Sequence, residues 1–229
     1  MKRIYVIVEG QTEREFVLQI LAPYFGAEGI TISPVPMLKS GGGMGFSNLE
    51  HFKNNVKPLL FEKDQPIIST LVDLFRFPVQ SGVPDEEKLL KQLSANVDID
   101  VRLSGLQSVL FEAVQKINPY PNFIPYIQKY EFEALLFSNP EAFSLENESI
   151  QKAVADVTSV FPNPEDINTS PSGHPAQRLI DIYATHNAKY EKGADAVDIA
   201  ELIGIEVMLE KCPRFRDWVE TLFAKAAAP

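Results

Sequence analysis

An open, mostly parallel α/β sheet flanked by helices, with a helical C-terminal part, is the fold class this sequence predicts. Two observations predict it. Over the first 137 residues, short apolar runs of strand type alternate with amphipathic stretches of helical period. After residue 138 the strand-type runs disappear, and helical stretches separated by Pro and Asn clusters take over.

The elements follow in order. Residues 4–8 are five consecutive apolar or aromatic residues, a buried strand. Residues 13–25 place Phe16, Val17, Ile20, Leu21 and Tyr24 on one helical face. Residues 30–38 are extended, and Pro34 and Pro36 confine them to a sheet edge or an irregular strand. Residues 48–61 are helical, with Leu49, Phe52, Val56, Leu59 and Leu60 inward. A second buried strand spans 67–72, followed by a proline-bearing loop and helices near 85–93 and 105–117. Residues 123–128 make a third strand, which leads into a short helix at 132–137. Helices at 148–160, 174–184, 196–210 and 213–226 complete the chain, broken by stretches such as "FPNPEDINTSPSGHP". The organisation expected is an α/β core at 1–137 and a helical part at 138–229 packed on it, as one domain or two.

Composition narrows the class. Of 229 residues, 45% are apolar and 23% charged, the balance of an ordinary globular protein. No apolar run approaches the ~20 residues of a membrane span. The basic start at Lys2 and Arg3 leads into an apolar run that ends at Glu9, too short for a signal-peptide core. A single cysteine, Cys212, excludes internal disulfides and suits a reducing compartment, so the cytoplasm is the expected location. Net charge is −10, unevenly spread: residues 1–130 carry 13 Lys and Arg against 14 Asp and Glu, residues 131–229 carry 8 against 17. A nucleic acid can still meet the nearly balanced N-terminal part, but the chain alone should hold a polyanion weakly.

Three strands end in acids. Glu9 precedes Gly10 directly after the first strand, at the strand end where open α/β sheets bind their ligands. Its neighbours have structural roles: Thr12 and Glu15 have the spacing of a capping box, and Glu13 in the first turn complements the helix dipole. Asp73 closes the second buried strand. Glu131 and Glu133 follow the third in "KYEFEALLF". If the strands are parallel neighbours, these carboxylates converge. Such a cluster resists ionisation unless a cation joins it, and Mg²⁺ or Mn²⁺ suits an all-oxygen set. At a phosphodiester, that ion lowers the pKa of a water and offsets charge on the leaving oxygen.

"VEGQTEREFV", the aspartate of "LVDLFRFP", "EFEALLF", "PEDIN" and "CPRFRDW" run in this order over nearly the whole chain. In these landmarks the sequence resembles a Toprim-like bacterial family known only as a domain of unknown function (domain of unknown function 4276), similar to the OLD-type nucleases. The resemblance implies a Toprim fold, a metal held by strand-end acids, and often a role beside an ATPase in anti-phage defence. It makes Glu9 the Toprim glutamate and Asp73 the first aspartate. The Toprim Asp-x-Asp pattern implies a second acid at position 75, where this chain has Phe75, and Glu131 or Glu133 is the substitute. A histidine common in the family before "EFEALLF" is here Tyr130.

The glycine-rich stretch 39–46, "KSGGGMGF", lacks the Gly-Lys-Ser/Thr of a phosphate loop and reads as a loop beside the site, with Lys39 able to touch phosphate. Arg76, three residues beyond Asp73, and Arg178, at a position the resemblance marks as recurrent, are the other candidate substrate-binding cations. His51, His174 and His186 share no metal-ligand spacing and read as surface or helix-end residues, while Phe215 and Trp218 read as core. Three functions fit. The first is a Mg²⁺-dependent nuclease on DNA or RNA, with Glu9, Asp73 and Glu133 catalytic and Glu131 an added ligand. The second is a catalytically silent Toprim module that binds a partner ATPase or nucleic acid. The third is a small-molecule phosphohydrolase, which lacks the nucleophilic Asp-x-Asp after its first strand.

Overall fold

β1 (Arg3–Val8) turns Ile4, Val6 and Val8 to one side of the sheet and Ile7 to the other, and all four are fully buried. A strand covered on both faces has to be apolar throughout, which is why the run lacks polar alternation. This and the rest come from a computed structural model that describes residues 2–39, 41–144, 147–168 and 173–228. β3 (Ile67–Asp73) divides in the same way, with Ile67 and Leu71 on one face and Ile68 and Val72 on the other. With β2 (Thr31–Pro36), β4 (Phe123–Ile124) and β5 (Ile127–Gln128), the strand order is β2-β1-β3-β4, all pairings parallel, with β5 also on β3. β2 (Thr31–Pro36) is an outer strand, so the N–H groups missing at Pro34 and Pro36 break no essential ladder.

The third strand differs from expectation. Residues 123–128 split into β4 (Phe123–Ile124) and β5 (Ile127–Gln128), because Pro125 between them has no N–H to donate. Thr70 bridges the gap. The Tyr126 N–H donates to Thr70 Oγ1 at 2.8 Å, and the Thr70 hydroxyl donates to the Tyr126 carbonyl at 2.6 Å.

The first helix also departs from expectation. It starts at Gln11 as α1 (Gln11–Phe16), passes through one π-helical segment at Val17–Leu21 and continues as α2 (Ala22–Ala27). Gly10 is its N-cap, with no side-chain cap, and its carbonyl accepts the Arg14 N–H at 3.2 Å. Thr12 therefore lies inside the first turn, buried, and the capping box with Glu15 does not form. Glu15 pairs instead with Arg14 and accepts from Gln11 at 2.6 Å.

Two layers of helix cover the sheet. On one face lie α3 (Leu49–Val56), α4 (Pro84–Ser94) and α5 (Ile99–Ile117), contributing Phe52, Leu90, Leu106 and Leu110. The other face carries α1, α2, α6 (Glu148–Val160) and α7 (Pro175–Thr185), then α8 (Ala194–Ile203), α9 (Ile205–Lys211) and α10 (Pro213–Ala227). The helix expected over 196–210 breaks at Gly204, whose φ of +77° belongs to the left-handed region that favours glycine. Phe215 and Trp218 are core residues, and the Trp218 indole N–H donates to Ser69 Oγ on β3 at 2.8 Å. Glu165, from "PEDIN", is fully buried and accepts the Arg214 and Phe215 N–H groups at 2.8 and 3.2 Å, anchoring the start of α10. Among the described residues no helix is long and apolar enough to cross a membrane.

Candidate acidic site at the strand ends

Register decides where the acids go. Val8 pairs with Leu71 and Asp73 with Gln128, so β1, β3 and β5 leave the sheet at one edge. The ladder continues past the strands: the Leu74 N–H donates to the Gln128 carbonyl at 3.0 Å and the Phe75 N–H to that of Tyr130 at 2.8 Å. Glu9 bends back over the edge, and its Oε1 accepts the Asp73 N–H at 2.7 Å. A cavity of about 440 Å³ opens here, lined by Glu9, Glu13, Asp73 and Glu131 together with Arg76 and Lys192.

Glu13 corrects the sequence reading. It was expected only to complement the helix dipole, yet it is buried and part of the acid cluster. Starting α1 at Gln11 turns it toward the cavity, four residues after Glu9. Burial first, and then the neighbouring Glu9, raise its pKa to about 7. Burial also raises the pKa of Glu9, partly opposed by the Asp73 N–H and by Lys192. Asp73 is raised well above the usual carboxylate range by burial and by Glu13, Glu9 and Glu133. Glu133, fully enclosed, is raised by burial against the opposing pull of Lys192.

Lys192 and His174 are the two partners that sequence reasoning missed. Gly193, with a φ of +111°, turns the chain into α8 directly after Lys192. The Lys192 ammonium lies 3.2 Å from Glu133 Oε1 and 3.8 Å from Glu131 Oε1. Burial works against its charge, but Glu133, Asp73 and Glu131 outweigh that and hold its pKa above the ordinary lysine value. His174, expected as a surface or helix-end residue, does precede α7, but its Nδ1 lies 2.7 Å from Glu131 Oε2. The same oxygen accepts the Ala176 N–H at 3.0 Å. An imidazole thus reaches this acid from position 174, whereas the resemblance implies one at 130. The signals were faint: a glycine after a lysine, and a histidine before a helix-starting proline.

The other candidates are dispersed. Arg76 lines the cavity; Lys39 lines a separate pocket with Asn48 and His51. Arg178 does not line the acidic cavity: its Nε donates to the Gly173 carbonyl at 2.7 Å and its guanidinium lies 5.4 Å from the Phe161 ring centroid. Ser40 of the glycine-rich stretch and residues 169–172 lie outside the described residues.

The donor chemistry fits a hard divalent cation. Asp73 Oδ1 and Glu133 Oε2 are buried without a hydrogen-bond partner, and Glu133 Oε1 has the Lys192 ammonium at 3.2 Å. Buried carboxylates left this way favour a cation that relieves them. Their present spacing is looser than a closed site: among the described residues no three Asp, Glu, His or Cys side chains form a ready ligand set.

Fold and site together define a class, a parallel α/β protein with an acidic cavity at the carboxyl edge of its sheet. The chain belongs to the family described as a domain of unknown function (DUF4276), whose family model matches residues 8–223. Among solved structures it is similar to the C-terminal region of the Xanthomonas campestris pv. campestris OLD protein. For the crystals phased with platinum the identity is 16%, covering 98% of this chain and 94% of that one, with a TM-score of 0.41. For those phased with mercury it is 18%, covering 99% and 97%, again with a TM-score of 0.41. No curated protein matches the chain.

Proposed function

We propose that this protein is a Mg²⁺- or Mn²⁺-dependent nuclease that hydrolyses phosphodiester bonds of DNA or RNA. One observation carries the reading: four carboxylates with raised pKa, Glu9, Glu13, Asp73 and Glu133, are gathered at one sheet edge with orphaned oxygens among them. Glu9, Asp73 and the Glu131–Glu133 pair would hold the ion. When bound, it would supply a water of lowered pKa and offset negative charge on the phosphate. The chain's own residues have separate tasks. Lys192 and Arg76 bring positive charge to a phosphate entering the cavity, and the Glu9 contact to the Asp73 N–H fixes the spacing of the two strand ends. Glu131, oriented by His174 and the Ala176 N–H, is held at the third strand end.

The same proposal includes an ATPase partner in anti-phage defence, on the strength of the family resemblance. A net charge of −10 supports it, because a chain of that charge draws a polyanion weakly without a basic partner. A silent binding module is the second reading, favoured by Phe75 at the second Asp-x-Asp position and by the absence of a ready three-ligand set among the described residues. The deciding experiment incubates the purified chain with plasmid, single-stranded DNA and tRNA in Mg²⁺ or Mn²⁺, with and without an ATPase encoded beside it. Cleavage that is lost in Glu9→Gln supports the nuclease. No cleavage under any of these conditions, or cleavage unchanged in Glu9→Gln, removes it.

A further inference from the structure

Phe75 is out of place by ordinary rules. It follows a buried strand by two residues, yet its side chain is 36% exposed on the wall of the acidic cavity. The ring is not loose. Its backbone N–H is tied to Tyr130, and its face stacks on the His174 ring with centroids 4.5 Å apart and planes 27° apart. His174 is in turn fixed by Glu131. Next along the chain, Arg76 adopts a φ of +62°, a left-handed conformation that is strained for a non-glycine residue. That conformation accompanies a guanidinium 5.3 Å from the Phe75 centroid. A half-exposed aromatic ring backed by His174 and carrying a guanidinium over it, two residues from a cluster acid, is an arrangement on which unpaired nucleobases stack, on the guanidinium plane as well as on the ring.

We propose that Phe75, with Arg76, is a stacking platform for an unpaired nucleobase, and that the substrate is therefore single-stranded nucleic acid. This deepens the nuclease reading and rests on it for the catalytic consequence. Bases inside a duplex already have both faces stacked, so only a single strand or a splayed end can present one to this ring. Stacking also suits the charge of the molecule. In a chain of net charge −10 the cavity sets Arg76 and Lys192 against Glu9, Glu13, Asp73 and Glu131, which limits the affinity phosphates supply, whereas stacking is insensitive to that charge. The position that the Toprim pattern implies for an acid thus has a role in gripping a base.

Binding to the full-length chain, read by fluorescence anisotropy in Ca²⁺, tests this separately from cleavage. The probes are a short oligothymidylate, the same strand with abasic sites, and a duplex. The wild type should prefer the strand with bases over the abasic strand by roughly 5- to 150-fold per stacked base, and over the duplex. Phe75→Ala should erase that preference, losing far more affinity for the strand with bases than for the abasic strand, and Phe75→Trp should retain it. Equal loss on both strands, no loss, or no base preference in the wild type would overturn the platform. Base-dependent binding without cleavage in Mg²⁺ or Mn²⁺, with and without the ATPase encoded beside it, would support the platform and sink the nuclease. Cleavage whose base dependence survives Phe75→Ala would do the reverse.

Discussion

Glu13→Gln should stabilise the metal-free protein at high pH and leave it unchanged at low pH. The wild-type carboxyl has a folded pKa raised from 4.5 to about 7 by burial and by Glu9. Below the unfolded value both states hold the proton, and its contribution is fully present. As pH rises from 4.5 through 7, the unfolded chain releases the proton while the folded one retains it, so stability falls; above 7 the loss is complete. The size follows from the shift, about 3 kcal/mol at ~1.4 kcal/mol per unit. For a chain of this length that is about 6–12 °C in melting temperature. Glutamine keeps the shape and cannot ionise, so wild type and variant should melt together near pH 4.5 and separate by that interval at pH 8. The assay is thermal and urea unfolding in chelator from pH 4.5 to 8.5. Parallel curves across that range, or a variant less stable at pH 8, would refute the argument that Glu13 belongs to the buried cluster.

Mg²⁺ or Mn²⁺ at ~100 times its dissociation constant should stabilise the wild type by about 2.7 kcal/mol through mass action. The response should vanish in Glu9→Gln and Asp73→Asn, and calorimetric melts with and without metal read it directly. Lys192→Met removes the cation facing Glu133 and Glu131 and should lower stability at pH 8 by ~1 kcal/mol, discounted for its half-exposed side chain. That deficit should shrink as pH falls and Glu133, its pKa raised by burial, takes up a proton; a constant deficit would mean the lysine matters only for packing. Glu165→Gln weakens two charge-assisted bonds to the start of α10 and should cost about 1–3 kcal/mol in urea unfolding, with metal response intact.

The sheet was legible because a strand buried on both faces leaves a continuous apolar run, and the acids stood out because each terminates one. Periodicity resolved less well where a single residue decides. Pro125 divides a strand and Gly204 divides a helix, and an apolar pattern runs through both unaltered. Glu13 was hidden by an adequate local explanation, since an acid in a first turn already has a reason to be there. Only the start of α1 at Gln11 turns it into the cavity. Lys192 and His174 come from the helical part, and nothing local in sequence ties them to acids some 60 and 40 residues earlier. Convergence of distant segments is a tertiary property, and a single sequence records it poorly.

The contact between Glu9 and the Asp73 N–H spans 64 residues of chain, and this separation has a kinetic meaning. In the unfolded ensemble Asp73 is far along the polymer from Glu9 and Glu13 and scarcely senses them. The repulsion of Asp73 with Glu9 and Glu13 arises only when β1 and β3 have paired across the intervening crossover, and such non-local pairings are slow steps in folding. The energetic burden of the cluster therefore falls on the finished molecule and hardly on the route to it. Neutralising one acid should slow unfolding more than it speeds folding. The edge that gathers the acids is also where opening fluctuations should begin, because there folding brings like charges together.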